Sequence, residues 1–426
     1  MRKSIYRFIL YIALFAVFYP EKYTFFPVST IWIFTAIALM FSIAYFAQHK
    51  IWHEVNSLFF CGLAIFLIGG LSSKIINQGG DLILANRGIQ IISYTLLGLW
   101  VSYLMIKVYK EASVLKLLEI LVNLAIIQAI ISFVFLLLPS IAEFYRSFVT
   151  IEEDALSVIE AQSKFRLVGI GDMRYATAAV NYGFMIWAVL LLRHQHYGIV
   201  GTLNWYSLLV ITLFSLAGIL SGRTFFILMA FTVPYVFCLK DRNFIKSMKE
   251  LFSVFCPVLI VGLVAFIYLF ASNDQLVSWA FEIFINLGDG GKLESESTNQ
   301  LRDMYIFPSE IKTWLFGDGK TVNDSGGFYM DSDVGYIRSI FYWGIIGSCL
   351  YLYIQYHMVR IGTNNNCDKP FRVFLSFLFI FFLVYWLKDL YSIEKLICLL
   401  VMVQAMSYRM NKINNIDEIH NSNTRI

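Results

Sequence analysis

The sequence predicts an all-α polytopic membrane protein, a bundle of about 12 transmembrane helices with two long extracytoplasmic loops. Of its 426 residues, 58% are hydrophobic and only 15% are charged, and the mean hydropathy is +0.67. Long apolar runs recur along almost the whole chain, and its 7 prolines suit long, mostly unbroken helices. A soluble fold of this size has too little interior for so much apolar surface. This composition excludes a soluble enzyme, a disordered chain and a nucleic-acid-binding module.

Runs of about 20 apolar residues are long enough to cross the hydrocarbon core. The first run follows Arg2, Lys3 and Arg7 but lacks a small-residue cleavage site, so we interpret it as a retained span. Two pairs of runs, around Ser221-Gly222-Arg223 and Lys388-Asp389, are either hairpins with very short turns or single broken helices. The predicted spans are 4–19, 28–47, 55–71, 88–106, 114–138, 175–192, 203–220, 224–239, 250–271, 334–357, 371–387 and 390–407.

The basic residues of the short loops predict the orientation. With the N-terminus inside, the inner segments carry many lysines and arginines, including Lys240, Lys246 and Lys249, whereas the short outer segments carry few. This bias places both termini in the cytoplasm. A single bundle over residues 1–407 is then followed by a polar cytoplasmic tail over residues 408–426.

Two long hydrophilic segments fall on the outer side, at 139–174 and 272–333. Loops of this length usually carry a function or are disordered. Aromatic residues such as Tyr305 and Trp314 indicate that the second loop folds against the bundle.

Arginines on the outer side are the first chemical signal. A guanidinium stays charged and grips phosphate oxygens in pairs, so several around one cavity would form a diphosphate site. The alternative is that each arginine snorkels to the lipid headgroups. Arg338 lies about one turn inside the tenth span and precedes an apolar run, so its depth makes it a functional candidate. The candidates for substrate binding are Arg166, Arg174, Arg223 and Arg302.

Carboxyl groups on the outer side are candidates for a general base. A carboxylate in a partly dry cavity can have a raised pKa that suits this role. We favour Asp333 because it directly precedes the tenth span, although loop acids are usually only solvated. A metal site is not expected, because the acids around Asp331 match no calcium-loop pattern. The other outer acids are Asp172, Asp303, Asp318 and Asp331.

Glycines mark two further segments. Gly335, Gly344 and Gly347 fall on the tenth span, where close contact between helices is the commoner explanation. The Gly317-Asp-Gly319 sequence is a turn signal first and a ligand loop second.

Several kinds of site are missing from the sequence. All six histidines fall on the inner side or at the inner interface, so an outer-face reaction has no histidine base. The six cysteines show no Cys-x-x-Cys spacing, which argues against a disulfide framework or a zinc site. Because no Gly-rich phosphate loop or Walker pattern is present, we expect neither nucleotide-driven chemistry nor a cofactor.

The chain resembles the O-antigen and capsule repeat-unit polymerases of the Wzy type, in the O-antigen polymerase and ligase superfamily. The matching pieces are the span topology, Arg166-Leu-Val-Gly169, Ser221-Gly-Arg-Thr224 and Gly317-Asp-Gly319. The best match is Ser332-Asp-Val-Gly-Tyr-Ile-Arg338, which leads into an aromatic and glycine-containing run.

This resemblance implies a glycosyltransferase that needs no nucleotide. It would move an undecaprenyl-diphosphate-linked glycan onto another lipid-linked repeat at the outer face of the bacterial inner membrane. The resemblance makes Arg166, Arg223 and Arg338 candidate contacts for diphosphate or glycan, and we add Arg174 and Arg302 from the sequence itself.

Two alternatives stay open. The ligase branch of the superfamily relies on a histidine in its large outer loop, and this chain has none there, which favours a polymerase. A flippase or transporter of lipid-linked glycans would place charges along its spans, and these spans are nearly free of charge except near their ends. The expected partners are the lipid-linked oligosaccharide and membrane lipid, with a chain-length regulator protein as a candidate and no nucleic acid.

Overall fold

The described residues of the chain are predominantly helical. A computed structural model describes residues 2–26, 28–48, 53–151, 166–171, 175–240, 243–272, 296–323, 327–364, 367–390 and 392–423. Within these ranges, β-structure is limited to isolated bridges, which pair Tyr23 with Val149 and Val322 with Phe328. The predicted all-α fold class is therefore confirmed for the described residues.

A helix lies in every apolar run that the sequence predicts as a span. The helices are α1 (Arg2–Phe18), α2 (Thr30–Gln48), α3 (His53–Gly70), α4 (Asn86–Tyr109), α5 (Val114–Leu137), α6 (Pro139–Arg146), α7 (Tyr175–His194), α8 (Gly198–Thr202), α9 (Asn204–Ser221), α10 (Thr224–Leu239), α11 (Phe244–Ser272), α12 (Glu296–Asp303), α13 (Ile311–Phe316), α14 (Gly335–Asn364), α15 (Lys369–Tyr385) and α16 (Glu394–Asn423). A π-helical turn, Leu71–Ile76, extends α3.

Seven of the helices in the described ranges are long and apolar enough to cross a membrane. They are α2, α3 with its π-helical turn, α4, α5, α7, α9 and α14. The larger count of about 12 spans stays a prediction. Helix α16 continues past residue 407 into the segment predicted as a polar tail.

The first of two compact units comprises Met1–Leu10, Thr35–Val114 and Asn299–Ile426. In it, α4 packs against α3 and α16, and α14 packs against α3, α13, α15 and α16. The start of α14 buries Val334, Ile337 and Phe341, and the residues packed against them are Leu301, Met304, Tyr305 and Tyr329. The described part of the second predicted loop therefore folds against the helices, as its aromatic residues predict.

Helix α14 is broken at Gly344, where φ is 68° and ψ is −177°. Beside the break, the carbonyl oxygens of Phe341 and Tyr342 accept hydrogen bonds from the backbone N–H groups of Asp318 and Gly319, at 2.5 and 3.2 Å. Non-helical backbone inside a membrane protein persists where protein groups satisfy it in this way.

Close helix contact is the commoner explanation of Gly344 from the sequence, and the structure shows that this glycine also breaks the helix. Its backbone conformation is essentially restricted to glycine, and the carbonyl of Leu315 lies where a side chain would begin. Gly317-Asp-Gly319 is a turn, as predicted, with φ of 71° at Gly317 and 67° at Gly319.

The second unit comprises Tyr11–Phe34 and Leu115–Thr298. Helix α7 packs against α8, α9 and α10, and both α9 and α10 pack against α11. The indole of Trp187 on α7 donates a hydrogen bond to the Thr232 hydroxyl of α10 at 2.8 Å. Helices α9 and α10 are separate helices that meet at Gly222-Arg223, the first of the two short turns predicted.

Candidate functional site

Asp333 and Arg338 lie at the start of α14, which is held against the end of α15. The backbone N–H of Tyr336 donates to the carbonyl of Trp386 at 3.1 Å, and the Tyr336 hydroxyl donates to the carbonyl of Leu383 at 2.8 Å. The carbonyls of Trp386 and Asp389 approach Gly335 so closely that a side chain there would collide with them.

This packing brings the turn after α15 to the start of α14. As a result, Asp389 and Lys388 join Asp333 and Arg338 in one group of charges. Two charges next to the start of α4 lie within electrostatic range of Arg338: Asp81, which precedes the helix, and Arg87, its second residue.

Arg338 is the fourth residue of α14, about one turn from the start of the helix, and it is partly buried. Its guanidinium carbon lies 4.5 Å from the centre of the Phe328 ring, a cation–π distance. Its Nε is buried and has no hydrogen-bond partner among the described residues. The guanidinium therefore stacks on the Phe328 ring, and the described residues leave its Nε without a hydrogen bond.

Asp333 is partly buried, and one carboxylate oxygen, Oδ1, is buried without a hydrogen-bond partner among the described residues. Burial raises the pKa of Asp333, and the negative charge of Asp389 raises it further. Lys388 and Arg338 act in the opposite direction. The net effect makes Asp333 a stronger proton acceptor than an ordinary carboxylate, as general-base chemistry requires.

Arg87 holds the turn that carries Asp389. Its two terminal nitrogens donate to the Tyr351 hydroxyl at 3.2 Å and to the carbonyl of Leu390 at 3.0 Å. Its guanidinium also lies 3.9 Å from the carboxylate of Glu394, the first residue of α16. A buried charge of this kind needs both a counter-charge and hydrogen bonds, and Arg87 has both.

Glu394 is only 1% exposed and is the centre of this polar network. Its carboxylate accepts hydrogen bonds from the hydroxyls of Tyr351 and Ser392, and from the side-chain amide of Gln355 at 2.9 Å. Because Tyr351 and Gln355 belong to α14, the network joins α4, α14 and α16 beside the candidate site.

Arg166 and Arg223 lie together in the second unit. Two hydrogen bonds fix the segment that starts at Arg166: the N–H of Leu167 donates to the carbonyl of Leu220 at 3.0 Å, and the Gln128 amide donates to the carbonyl of Ile170 at 3.0 Å. Leu220 lies near the end of α9, immediately before the turn that contains Arg223.

The two guanidiniums influence each other. Burial is the main cause that lowers the pKa of Arg166, and the positive charge of Arg223 lowers it further. The Tyr175 ring opposes this shift, and the guanidinium carbon of Arg166 lies 5.5 Å from its centre. Two partly buried guanidiniums that lie close together repel each other, so the binding of an anion between them would be favourable.

The remaining candidates are not part of these two groups. Arg302 is exposed in the last turn of α12, and Arg174 and Asp172 lie outside the described residues. Asp303 and Asp331 are exposed. The carboxylate of Asp318 accepts hydrogen bonds from Thr313 at 2.7 Å and Tyr329 at 3.1 Å, so it holds its own turn.

The sequence does not predict that Asp81, Arg87 and Asp389 lie near Arg338. Asp389 looks like part of a turn signal, and Arg87 like one more loop charge, until α14 and α15 pack together. The sequence offers one signal for the contact between Arg87 and Glu394. The two residues carry opposite charges, and each stands at the start of an apolar run. Among the described residues, no cluster of three histidine, cysteine or acidic side chains could hold a metal ion.

Comparison with known proteins identifies no relative: no family model, no curated protein and no solved structure matches the chain.

Proposed function

We propose that this chain is a membrane glycosyltransferase of the repeat-unit polymerase kind. It would transfer an undecaprenyl-diphosphate-linked glycan onto another lipid-linked repeat unit. The observation that carries the proposal is the proximity of Asp333 and Arg338 at the start of α14. There, a carboxyl group with a raised pKa and a partly buried guanidinium lie in one group, each with a buried polar atom that has no partner among the described residues.

The proposed reaction needs one proton acceptor and one anion-binding group. The hydroxyl oxygen of the acceptor sugar attacks the anomeric carbon of the donor glycan, and the bond between that carbon and the diphosphate oxygen breaks. Asp333 takes the hydroxyl proton as general base. The bond electrons leave with the undecaprenyl diphosphate, and Arg338 stabilises the negative charge that develops on it. The protein supplies position and electrostatics, and cleavage of the sugar–diphosphate bond supplies the free energy.

Arg166 and Arg223 support a second part of the proposal. Their partly buried guanidiniums form a separate group suited to an anionic portion of a lipid-linked substrate. Arg302 is exposed and remains a candidate contact for the glycan, and Arg174 remains a candidate from the sequence.

The proposed cellular setting is the bacterial inner membrane, with both termini in the cytoplasm and the reaction on the outer side. Reporter fusions test this topology. A reporter after residue 300 should read as periplasmic and one after residue 245 as cytoplasmic, and the reverse pattern would exclude an outer-face reaction at Arg338.

A lipid-linked glycan flippase is the second candidate. The buried pair of Arg87 and Glu394 favours it, because charges buried between apolar helices are typical of transport pathways. A ligase-like transferase is the third candidate, and the absence of histidine from the predicted outer loops counts against it.

Deletion of the gene with profiling of lipid-linked glycans separates the three candidates. Accumulation of single lipid-linked repeats on the outer side indicates a polymerase. Long polymer left on the lipid carrier indicates a ligase, and single repeats trapped on the inner side indicate a flippase. Restoration by the wild-type chain but not by Arg338→Ala would tie the result to the candidate site.

A further inference from the structure

The short helix α13 exposes apolar side chains and buries a polar one. Ile311, Leu315 and Phe316 are 78%, 41% and 42% exposed, and Ile311 and Leu315 stand one turn apart on the same side of the helix. Thr313 lies on the opposite side and is only 6% exposed, and its hydroxyl donates to the carboxylate of Asp318 at 2.7 Å. A helix on a surface in water shows the reverse pattern, with its apolar stripe towards the core.

The segment that leads into α13 extends this apolar surface. Ile306 and Phe307 are exposed, and the Phe307 ring stacks on the ring of Trp314 with the ring centres 5.9 Å apart. The Trp314 indole donates to the carbonyl of Pro308 at 2.7 Å. Aromatic rings of this kind are enriched at the boundary between hydrocarbon and headgroups. The α13 face comprises Ile306, Phe307, Ile311, Leu315 and Phe316.

The α13 face borders exposed apolar side chains of α14. A side chain added at Gly344 would lie 2.2 Å from the carbonyl oxygen of Leu315, so the end of α13 touches α14 at its break. Immediately after the break, Ile345 and Ile346 are exposed, and Leu350 is exposed about one turn later. Helix α14 is long and apolar enough to cross a membrane, and in a membrane these side chains contact lipid.

The position of the break sets the depth of α13. The part of α14 after the break, residues 345–363, is about 28 Å long at a rise of about 1.5 Å per residue. This length is close to the hydrocarbon thickness of about 30 Å, so this part alone is long enough to cross the core. Gly344 and the end of α13 then lie at one boundary of the core.

Helix α3 gives the same depth independently. Its π-helical turn, Leu71–Ile76, ends a second helix that is long and apolar enough to cross a membrane. The Ser72 hydroxyl in this turn lies 2.8 Å from the carbonyl oxygen of Phe316. The end of α13 is therefore at the level where α3 ends.

We propose that the α13 face lies in the boundary region of the bilayer, with its apolar side chains among the upper parts of the acyl chains. The partner is the lipid surface. Insertion removes exposed apolar side chains from water, which is the favourable term for helices that lie in this region. Lys312 is exposed on the same helix, and its long stem allows the ammonium to stay among the headgroups. The inference requires only that the chain lies in a membrane and does not depend on glycosyl transfer.

The test uses the full chain in liposomes with the fluorophore nitrobenzoxadiazole on one cysteine. The parent is Cys349→Ser, because Cys349 is exposed whereas the other five cysteines are buried or half-buried. Ile311→Cys places the fluorophore on the α13 face, and the parent treated with the same reagent gives the background. The liposomes contain phospholipid with a quenching spin label either near the top of the acyl chain or near its end.

The shallow spin label should quench the fluorophore at position 311 at least about twofold more strongly than the deep one, because a helix in this region is buried by about 5–10 Å. Leu315→Cys should give the same order and provides a second site on the α13 face. Iodide on both sides of the membrane should quench neither of them strongly.

Two control positions calibrate the depth. Tyr353→Cys lies on α14 about 14 Å beyond the break and should be quenched more strongly by the deep label. Gln300→Cys, an exposed position on the polar helix α12, should be quenched by iodide and by neither lipid label.

Quenching at positions 311 and 315 by iodide, without quenching by either lipid label, would place the α13 face in water and overturn the proposal. Protection from iodide and from both lipid labels would show that protein covers the face, either a second copy of this chain or another partner, and would also overturn it. Stronger quenching by the deep label than by the shallow one would place α13 within the core and exclude the boundary position.

Discussion

Arg87 donates a hydrogen bond of 3.0 Å to the carbonyl oxygen of Leu390, the residue that follows Asp389. Through this bond, the first turn of α4 holds the segment that follows α15. That segment places the carboxylate of Asp389 near Asp333. The same guanidinium faces Glu394 at 3.9 Å, so one arginine connects the electrostatics of the candidate site to the packing of α4, α14 and α16.

Removal of Arg87 alone should therefore destabilise the protein. Arg87→Gln leaves the carboxylate of Glu394 buried without its counter-charge, and breaking a buried pair typically costs about 3–5 kcal/mol. The double variant Arg87→Gln with Glu394→Gln removes both charges and should cost clearly less. Thermal unfolding in detergent measures both, and equal losses in the single and double variants would contradict the pairing.

Arg338→Ala should abolish polymer formation and leave single lipid-linked repeats. Arg338→Lys should be nearly as inactive, because a lysine ammonium lacks the planar fork that binds two phosphate oxygens. Electrophoresis of the extracted glycans gives the chain length, and immunoblotting of membranes gives the amount of protein. Lys312→Ala, an exposed change in the same unit, is the matched control. Normal chain lengths from Arg338→Ala would exclude the proposed role.

Asp333→Asn should separate activity from stability. The folded state raises the pKa of Asp333, so the folded protein favours the protonated form. Ionisation of Asp333 therefore costs folding free energy as pH rises through the interval between its unfolded and folded pKa values, and below that interval the cost disappears. At neutral pH the neutral asparagine should unfold at an equal or higher temperature, while the transfer rate falls.

The pH dependence of the rate offers an independent check on Asp333. As a base it must be ionised, so the rate should fall as pH drops through its raised pKa. Asp389→Asn removes the negative charge that helps to raise this pKa, so the acidic limb of the profile should move to lower pH. The measurement is the transfer rate in isolated membranes across a pH series. A limb that stays in place would show that another group titrates.

The sequence predicts some parts of this site and misses others for a physical reason. The helices follow from apolar runs, and the place of Arg338 near the start of α14 follows from its position within one run, because both are local properties. Asp389 joins the site because α14 packs against α15, and Arg87 joins it because its guanidinium reaches Tyr351 and the carbonyl of Leu390. No local pattern encodes those contacts. The break at Gly344 is hidden for the same reason, because a glycine in a span indicates close packing and a break equally well.

Arg166 and Arg223 should act as one unit towards an anionic substrate. Arg166→Gln and Arg223→Gln should each raise the substrate concentration needed for half-maximal rate. If both guanidiniums contact the same anion, the double variant should lose less than the product of the two single losses. Independent, fully multiplicative losses would indicate two separate contacts.

Gly344 offers the sharpest test of the broken helix. At φ 68° and ψ −177° its backbone occupies a region that costs other residues about 1–3 kcal/mol. An added side chain would also meet the carbonyl of Leu315, so Gly344→Ala should displace the turn at Gly317–Gly319 and lower the unfolding temperature. Gly222→Ala is the matched control, because its φ of 178° is ordinary extended backbone and its nearest neighbours lie 3.5 Å from the new methyl group. If Gly344→Ala unfolds at the wild-type temperature, as Gly222→Ala should, the fold does not depend on a glycine at the break in α14.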